Sequence, residues 1–364
     1  MIKSKLLAST MLVSAAALVS AGNANAVALK LGGFLELWAG IGDQDKSVNV
    51  VNGFDIKQDA EIFFQGEETL DNGIKVGARF EMEAGNGNDV SPGAQGVADF
   101  DESFGWVKTK WGQINMGAND LASAYVGGVD TVGPVGITKS DVADWIPGTY
   151  TELNNSDVDI GTGDSNNITY FTPRVAGVQL IVSYTPDNSD NDGSDYDDQE
   201  SAGFHDAWSG AVRYNGKFGG VSLGVAAGYT NVSLEDTNVA GSGSDTGTGY
   251  NLTIEGGFGP VNLSAAYAYE DNVADHDQYW AVSALYKMGN NAISVAYASG
   301  WEDSRNNGRG RNESELITVG VEHTLGKGAS LAASVFSAED IQQGAGTKET
   351  VNGWGAVGGL VIKF

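Results

Sequence analysis

The stretch Trp354-Gly355-Ala356-Val357-Gly358-Gly359-Leu360-Val361-Ile362-Lys363-Phe364 decides the fold. Trp354, Ala356, Gly358, Leu360, Ile362 and Phe364 alternate with small or polar neighbours. In a strand every second side chain faces the same way, so the segment presents one apolar face ending in an aromatic. Val221, Leu223, Val225, Ala227 and Tyr229 repeat the pattern against Ser222, Gly224, Ala226, Gly228 and Thr230. Val261, Leu263, Ala265, Tyr267 and Tyr269 do so again, as do Ile74, Val76, Ala78 and Phe80 against Lys75, Gly77, Arg79 and Glu81. Strand signals of this kind run from Leu29 to Phe364 with no helical period between them.

A β-sandwich also alternates, so the other face has to discriminate. Here it is built of Gly, Ser, Ala, Asn and charges, which suits a water-filled lumen, while the apolar face carries aromatics near strand ends. Segments of about ten residues suit a tilted membrane crossing. The connections alternate in length as well. Tight turns fall at Asp71-Asn72-Gly73, Trp111-Gly112, Ala176-Gly177, Gly219-Gly220, Gly259-Pro260, Gly289-Asn290-Asn291 and Lys327-Gly328. Polar loops lie near 43–56, 84–99, 123–166, 187–205, 236–248, 272–277, 304–312 and 342–349. Seven turns and eight loops predict an all-β, 16-stranded antiparallel transmembrane β-barrel. The even count lets Leu29–Ile41 pair with Thr350–Phe364 and leaves no edge open to lipid. In such a barrel Trp38, Trp106, Trp208, Trp280 and Trp301 are expected at the interface belts.

Lys3 and Lys5 precede an apolar run from Leu6 to Val19 and a small-residue site, Ala24-Asn25-Ala26. That order predicts a secretory signal peptide over 1–26, leaving one barrel domain over 27–364. The run is too short, and too broken by Ser9, Thr10 and Ser14, for a membrane helix. No Cys is present, which excludes disulfides, a lipoprotein anchor and thiol catalysis. Past the leader 18 basic residues face 47 acidic ones, a net charge of −29 that repels nucleic acid. The abundance of aromatic and β-branched residues argues against disorder.

These residues resemble a Gram-negative general porin, most of all its α-proteobacterial branch. The likeness is carried by Asn167-Ile-Thr-Tyr-Phe-Thr-Pro-Arg-Val-Ala-Gly-Val-Gln-Leu-Ile-Val-Ser-Tyr-Thr-Pro-Asp187, similar to that branch's sixth and seventh strands, and by Trp111-Gly-Gln-Ile-Asn-Met-Gly-Ala-Asn-Asp120 before the third loop. Phe364 resembles the terminal residue read by the barrel-assembly machinery. The resemblance implies an outer-membrane homotrimer, in contact with membrane lipid and lipopolysaccharide, whose inward-folded long third loop narrows each pore. The segment Ser123–Asn166 is the longest connection, and long loops in compact proteins are usually functional or disordered. Its acids Asp130, Asp141, Asp144, Glu152, Asp157, Asp159 and Asp164 are the candidate constriction, with Trp145 and Tyr150 as anchors to the wall.

Parity places Asp59, Glu61, Phe63 and Gln65, then Lys75, Arg79 and Glu81, then Asp101, Asn115, Phe171 and Arg213 on the lumen side. Only Lys75, Arg79 and Arg213 among them are basic, a departure from the basic cluster that general porins oppose to the loop. An acidic lumen lowers the energy of a cation, so the expected channel passes small hydrophilic solutes and ions with cation preference. No aromatic path for sugars is evident. A substrate-specific channel is the second reading, and an exported non-channel β protein such as an adhesin the third. The fourth loop holds Asp187, Asp190, Asp192, Asp195, Asp197, Asp198 and Glu200, hard oxygen ligands that suit loosely bound Ca²⁺ or Mg²⁺ bridging to lipopolysaccharide. His205, His276 and His323 show no zinc spacing. No enzyme, resident metal or cofactor is expected.

Overall fold

The structure, a computed structural model, describes residues 27–45, 53–84, 100–137, 139–146, 153, 158, 160, 163–187, 204–234, 246–271, 275–304, 310–344 and 347–364. The leader expected over 1–26, with its small-residue site, lies outside them.

Sixteen antiparallel strands close into a barrel, each paired with its sequence neighbours and β1 with β16. They are β1 (Lys30–Gln44), β2 (Phe54–Thr69), β3 (Lys75–Glu83), β4 (Phe100–Thr109), β5 (Gly112–Ala118), β6 (Asn166–Phe171), β7 (Val178–Asp187), β8 (Phe204–Phe218), β9 (Val221–Leu234), β10 (Thr246–Phe258), β11 (Val261–Asp271), β12 (Asp275–Met288), β13 (Asn291–Ser304), β14 (Arg311–Gly326), β15 (Ala329–Gly344) and β16 (Thr347–Lys363). A short 3₁₀ turn, Ala122–Val126, and a helix α1, Lys139–Ala143, sit in the third loop. Closure removes every edge and excludes the sandwich. The seam runs from Phe34↔Lys363 to Gln44↔Gly353. The chain end locks it, because the Gly33 amide donates to the Phe364 carbonyl at 3.0 Å and the Phe364 amide to that of Gly33 at 3.1 Å.

Which face is outside follows from exposure. Leu252, Ile254, Leu263, Val282, Val295 and Ile317 are exposed, while their neighbours Asn251, Thr253, Ser264, Ser283, Ser294 and Thr318 are buried. Only a barrel that turns its apolar face to lipid and covers its polar face from within has that inversion. The outward aromatics are unevenly spread. Tyr170, Trp208, Tyr229, Tyr250, Trp280 and Trp354 face out and are exposed, whereas the outward face of β1–β5 carries no Tyr or Trp. Trp38 and Trp106 correct the belt expectation. Each is 8% exposed and turned inward, Trp38 over Gly359 and Trp106 over Gly77.

The main apolar cluster lies inside the barrel rather than between sheets. It joins loop residues Val135, Ile137, Val142, Ile146, Leu153 and Val158 to Ala268, Ala281, Ala296, Ala298, Leu316, Phe336 and Val357 of the wall. The inner wall of β8–β16 is rich in Gly, Ala and Ser because the third loop occupies the space beside it. A methyl group at Gly249 meets Val158 at 2.7 Å, and one at Gly353 meets Ile146 at 2.6 Å.

Candidate functional site

From β5 the third loop turns inward and follows the wall. Each strand it passes offers a hydroxyl or amide to its backbone. The Ser123 amide donates to Oγ of Ser209 on β8 at 2.9 Å, and Thr230 of β9 donates to Oγ of Ser123 at 2.9 Å. On β10, Asn251 donates to the Ser123 carbonyl at 3.0 Å and Thr253 to that of Gly127 at 2.5 Å. The Asp130 amide donates to Ser264 of β11 at 2.9 Å, and Ser283 of β12 donates to the Asp130 carbonyl at 2.6 Å. Beyond it Val132 bonds Ser294 of β13 at 3.0 Å, the Val135 carbonyl accepts from Thr318 of β14 at 2.8 Å, and the Val135 amide reaches Ser334 of β15 at 3.2 Å. Trp145 then meets Gly40 of β1 and Val357 of β16, with the Lys57 ammonium 5.7 Å from its ring centre. Among the described residues the loop thus lines β8 through β16 and leaves open the wall of β2–β5.

That open wall carries the charge. Arg79 of β3 is the hub. It pairs with Glu81, lies 3.6 Å from Glu102 of β4 and 3.9 Å from Glu61 of β2, and donates to Gln65 at 3.2 Å. Its guanidinium stands 4.2 Å over the Phe63 ring. The three glutamates are buried, at 8%, 3% and 8% exposure for Glu61, Glu81 and Glu102. One fixed cation therefore faces three carboxylates. Each removed from water requires this kind of partner. Beside them, carboxylate oxygens of Glu102, Asp120 and Asp164 all lie within 4.8 Å of one another. Asp120 and Asp164 bracket the third loop, so its two ends meet the β4 wall there. Burial holds the Tyr125 hydroxyl well above the ordinary phenol value, and the Asp120 and Glu102 carboxylates add to that. A second acidic group gathers Glu36 of β1, Asp59 of β2 and Asp141 of the loop within electrostatic reach of one another.

The sequence-derived positions divide as follows. Asp59, Glu61, Phe63, Gln65, Lys75, Arg79, Glu81, Asn115, Phe171 and Arg213 all sit on the inward register. Asp101 does not belong to it. A register shift between Glu81 and Met82 makes Phe100 the partner of Met82 and Glu102 the partner of Glu81, so Glu102 is the inward acid of β4 and Asp101 lies in the bulge. Asp130 is tied to the far wall, accepting from Asn262 through Oδ2, and Asp141 accepts from the Gly136 amide at 3.0 Å. Asp144 lies beside Trp145. Glu152, Asp157, Asp159 and Tyr150, and the fourth-loop acids from Asp190 to Glu200, lie outside the described residues. Lys75 sits near the turn side, paired with Glu67, and Arg213 lies on β8 near Glu255. Glu36, Glu102 and Asp120 are the acids that sequence reasoning passed over. Strand parity reaches the first, while the bulge hides the second.

Aromatic lining is the other difference. Phe63, Phe104, Trp106 and Phe171 all face the lumen from β2, β4 and β6, and Tyr125 packs edge-on to Phe171 at 5.0 Å between ring centres.

Against known proteins, the family model described as Gram-negative porin matches residues 8–340. The major outer membrane protein P.IB of Neisseria lactamica is 24% identical over 306 residues, 82% of each chain, and that of Neisseria meningitidis serogroup B is 25% identical over 330 residues, 87% of this chain and 86% of the relative. Among solved structures, the outer membrane protein OmpT of Vibrio cholerae superposes with a TM-score of 0.60 at 15% identity, covering 96% of this chain and all of the other. The outer membrane channel DcaP of Acinetobacter baumannii gives 0.57 at 16% identity over 93% and 97%.

Proposed function

The chain belongs to the Gram-negative porin family, and on that premise we propose that it works as a non-enzymatic homotrimeric pore favouring cations. Its place in the outer membrane and its role as a channel follow from the family and the closed barrel. Cation preference rests on one observation: the wall left open by the third loop has Glu61, Glu81 and Glu102 around the single guanidinium of Arg79, with Asp120 and Asp164 beside Glu102. Carboxylates therefore outnumber the one guanidinium in this cluster. In a narrow site walled by low-dielectric protein, charge of one sign raises the local concentration of its counter-ion.

The trimer reading draws on a solved trimeric form of Vibrio cholerae OmpT and on the uneven aromatic girdle. Tyr and Trp belts mark where a barrel meets lipid headgroups. Their absence from the outward face of β1–β5 suits contact with another protein there. Membrane lipid and lipopolysaccharide cover the rest, and Phe364 at the seam suits recognition by the barrel-assembly machinery. Stepwise currents after adding the purified protein to a planar bilayer test the pore. Saturation of flux by one solute favours a substrate-specific channel instead.

A further inference from the structure

The open wall carries more than charge. Moving along each strand toward the tight turns, the next inward residue after Glu61 is Phe63, after Glu81 is Arg79, and after Glu102 is Phe104. The acidic tier is followed directly by a phenylalanine on β2 and β4, with Arg79 between them on β3. Trp106, one step further, is spoken for: it lies flat on Gly77 and donates from Nε1 to Glu67 at 3.2 Å. Phe63 and Phe104 are only partly buried, Phe63 with Gly32 behind its ring and Arg79 in front. The wall already demonstrates what it holds. Arg79 presents a planar cation 4.2 Å over Phe63 while carboxylates grip its edge.

We propose that Phe63 and Phe104 set the solute specificity of this pore, retaining planar or aromatic organic cations longer than simple cations of equal charge. The reading rests on the cation preference proposed above. Carboxylates draw the charged end in, and an arene face attracts an ammonium or guanidinium through its quadrupole and shields the flat part from water. Each ring contributes about a two- to fivefold gain in affinity, the range for cation–π contacts at partly wet sites.

The test is block of the potassium current through the full-length channel in a planar bilayer. Benzyltrimethylammonium is compared with tetramethylammonium at equal concentration. The expected half-blocking concentration is about five- to twentyfold lower for the aromatic cation. In Phe63→Leu with Phe104→Leu the two cations block within about twofold of each other. The single variant Phe104→Leu, across the strand pair from Arg79, shows an intermediate difference. Equal block of the native pore, or a difference that survives both substitutions, overturns the proposal while cation preference stands. A chloride-preferring native channel overturns the premise, and this inference with it.

Discussion

The Asp130 amide donates to Oγ of Ser264 at 2.9 Å, and the Asp130 carbonyl accepts from Ser283 at 2.6 Å, bonds that span 134 and 153 residues of sequence. The backbone of one residue of the third loop is thereby clamped between β11 and β12. Removing both hydroxyls orphans two buried backbone groups, at about 1–3 kcal/mol each. Ser264→Ala with Ser283→Ala keeps the barrel, because the strand ladder is untouched. The loop loosens, and open-channel current noise rises well above that of the native pore. Unchanged noise and conductance contradict a clamping role.

Asp120 and Asp164 meet Glu102 where the ends of the third loop reach β4. Replacing Asp120 and Asp164 with Asn removes two charges from the passage. Unit charges at such distances interact by about 1–4 kcal/mol, less after salt screening, so the potassium-to-chloride permeability ratio falls about two- to fivefold. Reversal potentials read it directly. The loss shrinks in molar salt, where the screening length is about 3 Å.

Arg79 neutralises a buried trio of glutamates. Arg79→Gln removes the ion-pair partner they share, at a cost of about 3–5 kcal/mol. The expected result is a lower temperature for conversion of the folded to the unfolded band on a gel. Adding Glu81→Gln recovers part of the loss, since one carboxylate fewer then repels its neighbours. Equal melting of native and Arg79→Gln proteins contradicts the hub assignment.

The bare face of β1–β5 makes a prediction of its own. Ala78 on β3 and Leu252 on β10 both point outward. Arg at either position costs about 2–4 kcal/mol if it faces lipid at mid-membrane. Ala78→Arg is expected to yield folded monomers in mild detergent and Leu252→Arg folded trimers, as separated by unheated gel migration. The reverse pattern moves the subunit contact elsewhere.

The architecture was readable because strand parity is a local property. The alternation from Trp354 to Phe364 gave the outward face of β16, and turn signals such as Gly219-Gly220 and Gly259-Pro260 gave the count of strands. Parity also put Glu61, Arg79, Glu81 and Arg213 on the lumen side. It failed at β4, where the bulge beside Glu81 exchanges Asp101 for Glu102. It failed again for Trp38 and Trp106, whose type suggests a belt but whose register faces inward over glycines. The path of the third loop is a tertiary matter. Ser209, Ser264, Ser294 and Ser334 look like ordinary lumen residues until the loop backbone lies against them.

Cation preference is the claim that joins the open acidic wall to the work of the pore. The zero-current potential across a planar bilayer holding the purified protein, with tenfold more potassium chloride on one side, measures it most directly. The account predicts that the dilute side becomes positive, as potassium leads chloride through the pore. A dilute side that turns negative contradicts it.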